Sequence, residues 1–308
     1  MQRRTRTQAV KNTAQHQGTP IAPAPAAPLP KDPDFCKSWM PNVGRDLRRV
    51  YNVKIERLPE HKLAFAELAP KPSPHPAPAP AHGPAQAPST VDLRPKMPPV
   101  YDQGNLGSCT ANALCAAFAY DCPAAQPFMG SRLFLYYNER MVENDIPDDA
   151  GACIYDGVAC LKKYGLCAES DWPYVIAKFA QKPPVKCYTS AVKHEAIVCQ
   201  NIQNTSAAMK ACLQAGYPFV VGISVYDSFE SDAVAMTGAV PMPGAHEQCL
   251  GGHAVVCVGY NDSQQTWIMR NSWGASWGLS GYFTLPYAYL LDPNMCSDLW
   301  VIKSVSNR

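Results

Sequence analysis

The sequence predicts an α+β fold in two halves, a helical half and an antiparallel, β-barrel-like half, with a cleft between them. Two observations predict it. Apolar residues recur at helical spacing in three stretches between residues 109 and 164. From residue 218 onward they fall instead in short, β-branched blocks bounded by turn residues. A third observation sets this body apart: the chain has 30 prolines in 308 residues, and they crowd the N-terminal region.

Residues 1–33 read as a basic, Pro-rich tail with no acidic residue before Asp32. Residues 1–60 hold 11 Lys/Arg against 5 Asp/Glu, a net of +6, whereas residues 91–308 hold 14 against 19, a net of −5. The near-neutral whole thus hides a basic start on an acidic body. Two readings fit the tail: contact with nucleic acid, membrane or an acidic partner, or a solvated disordered extension. No stretch resembles a secretory signal or a membrane span, so an intracellular chain is expected.

Residues 34–69 are more apolar, with Trp39, Leu47, Val50, Tyr51, Val53, Ile55, Leu58 and Phe65. They are too apolar for pure disorder and too few for a core of their own, so they should dock on the body. Residues 70–90 form a Pro/Ala-rich linker, extended and polyproline-like. Residues 91–308 are long enough to bury one large core, and a monomer is expected.

Within the body, Gln103–Phe118 reads as a Gly-rich loop running into a helix. Gly104 and Gly107 permit a tight turn, and Ser108 suits the N-cap. Ala111, Leu114, Cys115 and Phe118 fall on one face. Cys109 sits in the first turn, off that face, where unpaired N–H groups and the helix dipole favour a thiolate. Residues 131–142 and 154–164 read as two further helices. Strands are expected at 218–229, 254–260, 266–270 and 281–285. The middle pair forms a hairpin that brings His253, opening one strand, to the same end as Asn271, closing the next. Thiol, imidazole and carboxamide suffice for nucleophilic catalysis: a nucleophile, a proton carrier, and an amide oxygen to orient the ring.

The motifs VDLRP, PPVYDQG, LGSCTA, Gly252-His253-Ala254 and SWGASWGLSGYF, in this order from Val91 onward, resemble the papain family of cysteine peptidases. They are most similar to a divergent branch seen in bacteria and large DNA viruses. The 144 residues from Cys109 to His253 fit the roughly 130–150 of papain-like enzymes. The resemblance implies a two-lobed papain-like fold and a cysteine endopeptidase acting on protein or peptide substrates. It assigns Cys109 as nucleophile, His253 as general base and acid, Asn271 as orienting amide, and Gln103, with the Cys109 N–H, as oxyanion donor. Trp273 would shield the His253–Asn271 pair, and Gly151 and Gly252 would line the substrate cleft. The 34–69 segment would then be a short pro-region that inhibits the enzyme until removed. Two departures stand out. Leu106 replaces the first cysteine of the family's Cys-Gly-Ser-Cys-Trp, so the disulfide common beside the active site cannot form. Thr110 replaces the tryptophan.

Thirteen cysteines without a signal peptide read as free thiols in a reducing setting, although pairs among Cys122, Cys153, Cys160, Cys167, Cys187, Cys199, Cys249 and Cys296 stay open. The sevenfold spacing of Cys153, Cys160 and Cys167 is no zinc pattern. Asp145, Asp148 and Asp149 lack the calcium-loop pattern. No metal or cofactor is expected. Two competing functions stay open: an exopeptidase or transpeptidase with the same chemistry, and a packaged structural protein, for example in a virus particle, that retains the fold with little turnover.

Overall fold

The computed structural model describes residues 53–54, 87–123 and 126–306. The basic tail over 1–33, the rest of 34–69 and the linker before residue 87 lie outside them. In chain order the elements are β1 (Val53–Lys54), β2 (Thr90–Asp92), α1 (Cys109–Asp121), α2 (Arg132–Glu143), β3 (Ala152–Cys153), α3 (Ile154–Lys163), α4 (Val185–Ala191), β4 (Ala196–Asn201), α5 (Ser206–Gln214), β5 (Phe219–Tyr226), α6 (Asp232–Thr237), β6 (Cys249–Asn261), β7 (Thr266–Arg270), β8 (Tyr282–Pro286), α7 (Tyr287–Leu291) and β9 (Cys296–Val305).

The fold is the α+β architecture expected, with α1, α2 and α3 ahead of most of a large antiparallel sheet and the shorter α5, α6 and α7 between its strands. The sheet runs β4-β9-β5-β6-β7-β8, with β2 paired to the far end of β6. Its centre is buried on both faces, and the period of two sorts its side chains between two cores. On β5 and β6, Val220, Ala254, Val256 and Val258 join the helices in one core. Phe219, Val221, Ile223, Val255 and Cys257 face a second core with Trp267, Phe283 and Leu285. This is why the strands read as continuous apolar blocks rather than as alternating ones.

Helix α1 departs from the one-sided expectation: every residue from Cys109 to Phe118 is buried. It is the central helix, wedged between the sheet and the helices α2 and α3. Its alanines let all three neighbours approach closely. Helix α2 begins where expected, capped by Ser131, whose Oγ accepts from the Phe134 N–H at 3.1 Å. It ends on Asn144 in the left-handed region. Helix α3 has Asp156 in its first turn and Lys162 and Lys163 in its last, each matching the dipole.

The strand β6 is longer than expected. It begins at Cys249, so His253 lies inside it, opposite Ile223 of β5, rather than opening it. Conversely, β5 stops at Tyr226, where the chain turns into a short 3-10 segment over Asp227–Glu230. The β6–β7 turn is held by Asn261, whose Oδ1 accepts from Ser263 N–H at 3.0 Å. Every cysteine among the described residues is a free thiol. No helix among them is long and apolar enough to cross a membrane.

Candidate active site

The loop before α1 is stitched at both ends. Gln103 N–H donates to Ser272 O at 2.9 Å, and Gly274 N–H donates to Tyr101 O at 3.0 Å, so residues 101–103 lie antiparallel to 272–274. Gly107 N–H donates to the Asp149 carboxylate at 3.0 Å, and the Tyr136 hydroxyl donates to the same group at 2.5 Å. Ser108 occupies the N-cap position of α1 but does not cap it with its side chain. Its hydroxyl is taken by Tyr174 Oη at 2.5 Å and by Asn112 Nδ2 at 3.0 Å. Since Tyr174 donates its one proton to Gln103 O at 3.0 Å, Ser108 must donate to Tyr174 and accept from Asn112. Arg132, paired with Glu169 and stacked 4.0 Å from the Tyr174 ring centre, holds this net from behind.

Asn271 follows β7, and its Oδ1 accepts from the Ser272 N–H at 2.8 Å. That bond identifies the atom as the oxygen. The same oxygen lies 2.9 Å from His253 Nε2, so Nε2 carries a proton and Nδ1 is the nitrogen at which the neutral ring takes up another. The imidazole stacks on Trp273, with centroids 4.9 Å apart and planes 25° apart. Trp273 is wedged in turn edge-on against Phe229 and Trp277. The tryptophans of the SWGASWG motif therefore form one aromatic buttress behind the ring, and Phe229, which the sequence reading placed at the end of a strand, completes it.

Gln103 is buried, with both ends of its amide engaged. Its Nε2 donates to Leu106 O at 3.0 Å, which fixes the amide's orientation, and its Oε1 accepts from Ser272 Oγ at 2.6 Å. Nε2 has a second hydrogen to offer.

Cys109 is the first residue of α1 and is fully buried, as is His253. Here the structure departs from the expected lowered thiol. Burial pushes Cys109 up to about 12, against the opposing pull of the N–H groups of Ala254, Thr110 and Cys109 itself. The helix start is present, but desolvation outweighs it in this closed form. Beneath the thiol, Thr110 Oγ1 donates to Glu139 at 2.8 Å. Burial holds the Glu139 carboxyl well above the usual carboxylate range, against the pull of the Thr110 hydrogen bond.

Two residues from upstream of the body, Val53 and Lys54 of β1, lie at the site. Val53 and Lys54 pair in parallel with Ala152 and Cys153 of β3. Val53 is 1% exposed and lies where Gly252 has no side chain: a Cβ there would stand 2.3 Å from Val53 Cγ1 and 2.8 Å from Val53 O. Gly252 is therefore required by close approach of another chain segment. Gly151 lies one residue before the paired positions, at φ +73°, and its N–H donates to Tyr136 Oη at 3.2 Å. The Cα partners of β1 are thus Ala152 and Cys153, with Gly151 directly before them. Lys54 Nζ bonds both Glu143 and Asp145. Burial alone would lower its pKa, but these carboxylates outweigh burial and hold the ammonium above its usual value. Glu143, Cys153 and Asp156 converge closely enough to suggest a metal group, yet both Glu143 oxygens are occupied, by the Cys153 N–H and by Lys54. The sequence missed Asp149, Tyr136 and Tyr174, which converge on the loop only through tertiary contacts.

Residues 87–297 match the family model described as Papain family cysteine protease. An uncharacterized peptidase C1-like protein of Acanthamoeba polyphaga mimivirus is 45% identical over 217 residues, 67% of this chain and 70% of that protein. Cysteine proteinase 1 of Entamoeba histolytica is 28% identical over 225 residues, 68% of this chain; the chain spans 65% of that relative's length. Among solved structures, xylellain, a cysteine protease from Xylella fastidiosa, matches with a TM-score of 0.66 at 40% identity. The match covers 71% of this chain and 87% of that one.

Proposed function

The chain belongs to the papain family of cysteine peptidases, and we propose that it is an endopeptidase held latent by its own N-terminal segment. Cys109 Sγ gives its proton to His253 Nδ1 and attacks a peptide carbonyl carbon. The carbonyl electron pair moves onto oxygen, which the Gln103 Nε2 hydrogen and the Cys109 N–H receive. The intermediate collapses, the C–N bond breaks, and the amine leaves with the proton from His253. A thioester remains. Water, deprotonated by His253, then attacks it; the acid is released and the thiolate restored.

The observation that carries this reading is the Asn271 oxygen, fixed by Ser272 N–H and set 2.9 Å from His253 Nε2. It leaves Nδ1 as the nitrogen that exchanges protons. Trp273 keeps water from that bond. The endopeptidase reading is supported by residues 53–54. They belong to the interior of the sequence and lie beside Gly252, as the interior of a polypeptide substrate would. The same contact supports latency, because a stretch of chain seated beside Gly252 stands where a substrate would lie.

The test is alkylation of Cys109 across pH, read by peptide mass spectrometry. After the N-terminal segment is released, Cys109 should label fast below pH 8, and His253→Ala should slow it. Labelling no faster than the other cysteines in the released form would refute the reading. Fragments from the interior of an unfolded protein substrate, rather than trimmed ends, would separate endopeptidase from exopeptidase.

A further inference from the structure

Lys54 is placed where a substrate side chain could go. It comes from a segment far in sequence from the wall it touches, and its neighbour Val53 fills the slot beside Gly252 in the same cleft. The two carboxylates it meets are unequal: the Glu143 side chain is 9% exposed and that of Asp145 is 38% exposed. They come from the end of α2 and the loop just after it. A cavity of about 480 Å³ opens alongside, lined by Asp145, Asp148, Asp149 and Ala150 together with Lys54. Neither Lys nor Arg can enter an apolar slot unpaired. A half-buried pair of carboxylates sharing one ammonium, by contrast, leaves mutual repulsion when the cation departs.

We propose that Glu143 and Asp145 form a cation-recognising subsite, so that the enzyme prefers substrates in which an aliphatic residue stands directly beside a lysine or arginine. Val53–Lys54 occupies the two neighbouring subsites as a stand-in for such a dipeptide. The proposal rests on the peptidase reading above. The cavity leaves room for the longer guanidinium, which can face two carboxylates at once. The acidic body, net −5 over residues 91–308, adds long-range attraction for basic peptides. No metal is needed, because the charge that the carboxylates require is supplied by the substrate.

The experiment uses the protein after its N-terminal segment is released, so that Lys54 no longer fills the subsite, in wild type and with Asp145→Asn or Glu143→Gln. Internally quenched peptides carrying Val-Lys, Lys-Val or Val-Arg are compared with partners carrying Gln or Glu in place of the base. Expected is an advantage in kcat/KM of about tenfold or more for the basic peptides, shrinking with added salt and falling severalfold in either variant. Peptide aldehydes with the same pairs supply a second readout through Ki, independent of turnover. Thermal melting checks that the variants fold. Equal cleavage of basic and neutral peptides, or a basic preference that survives both substitutions, overturns the subsite and leaves the peptidase reading standing. Failure of every peptide and every aldehyde to react would overturn both.

Discussion

Removing the ammonium that anchors the N-terminal segment should awaken the buried thiol. In Lys54→Ala the charge-assisted bond to Glu143 is lost; in this half-buried setting it contributes about 1.5–3 kcal/mol. The arm to Asp145 is more exposed and screened, and adds no more than about 1 kcal/mol. Water recovers part of both, so about 2 kcal/mol is the working figure, or roughly a thirtyfold rise in the population with the segment lifted. Under the latency proposed above, the fully buried Cys109 is labelled through that population. The alkylation rate of Cys109 in the full chain at pH 6.5, followed by peptide mass spectrometry within minutes, should therefore rise about thirtyfold. Raising salt should accelerate the wild type towards the variant. A rate within about threefold of wild type, with the melting curve unchanged, would show that Lys54 is not the latch.

Two other perturbations follow from the same geometry. Ser272→Ala removes the donor to Gln103 Oε1, which lies at 2.6 Å in a buried setting. The orphaned acceptor loses about 1–3 kcal/mol, and because Gln103 is assigned to the oxyanion alone, kcat should fall about tenfold with KM held within about twofold; a change confined to KM would count against that assignment. Asp121 closes α1 with its Oδ2 buried and no hydrogen-bond partner among the described residues, and desolvation lifts its carboxyl to about 7, with Lys303 pulling weakly the other way. The folded state therefore holds a proton that the unfolded state gives up near its ordinary value of 3.8, so stability falls as pH rises from about 4 to about 7. Asp121→Asn should remove that slope and gain up to about 4 kcal/mol above pH 7 while changing little near pH 4, as melting temperatures at the two pH values will show.

Much of the architecture was legible in the sequence because the two periods are strong. Cys109 at a helix start, the helices near 131–142 and 154–164, and the 254–260 and 266–270 hairpin all appear close to their expected bounds. The hairpin also explains why His253 and Asn271 could be paired on paper, although the strand runs on through Gly251 and Gly252. What did not show was anything set by packing from a distance. Nothing local says that α1 is buried all round: the sequence shows the stripe of Ala111, Leu114, Cys115 and Phe118, but the small residues and the buried Thr110 and Asn112 opposite it carry no sign of a second neighbour. The strands β4 and β9 carry enough polar residues to hide their pairing. Asp149 read only as one of three loop aspartates without a calcium pattern, and the approach of Gly107 turns it into a tether. The expected low pKa of Cys109 came from the helix start alone, and the depth of burial is a tertiary fact.

The tether between Asp149 and Gly107 has a consequence for the conditions under which the nucleophile can be kept intact. A sulfur nucleophile is useful only while reduced, yet the reductants that protect it also open disulfides. Here the loop two residues before Cys109 is tied by a carboxylate and a tyrosine hydroxyl, at 3.0 and 2.5 Å, and Leu106 stands where a bridging cysteine would be. Thiol buffers can therefore rescue Cys109 from oxidation without slackening the loop that presents it. The architecture separates repair of the reactive sulfur from upkeep of its scaffold.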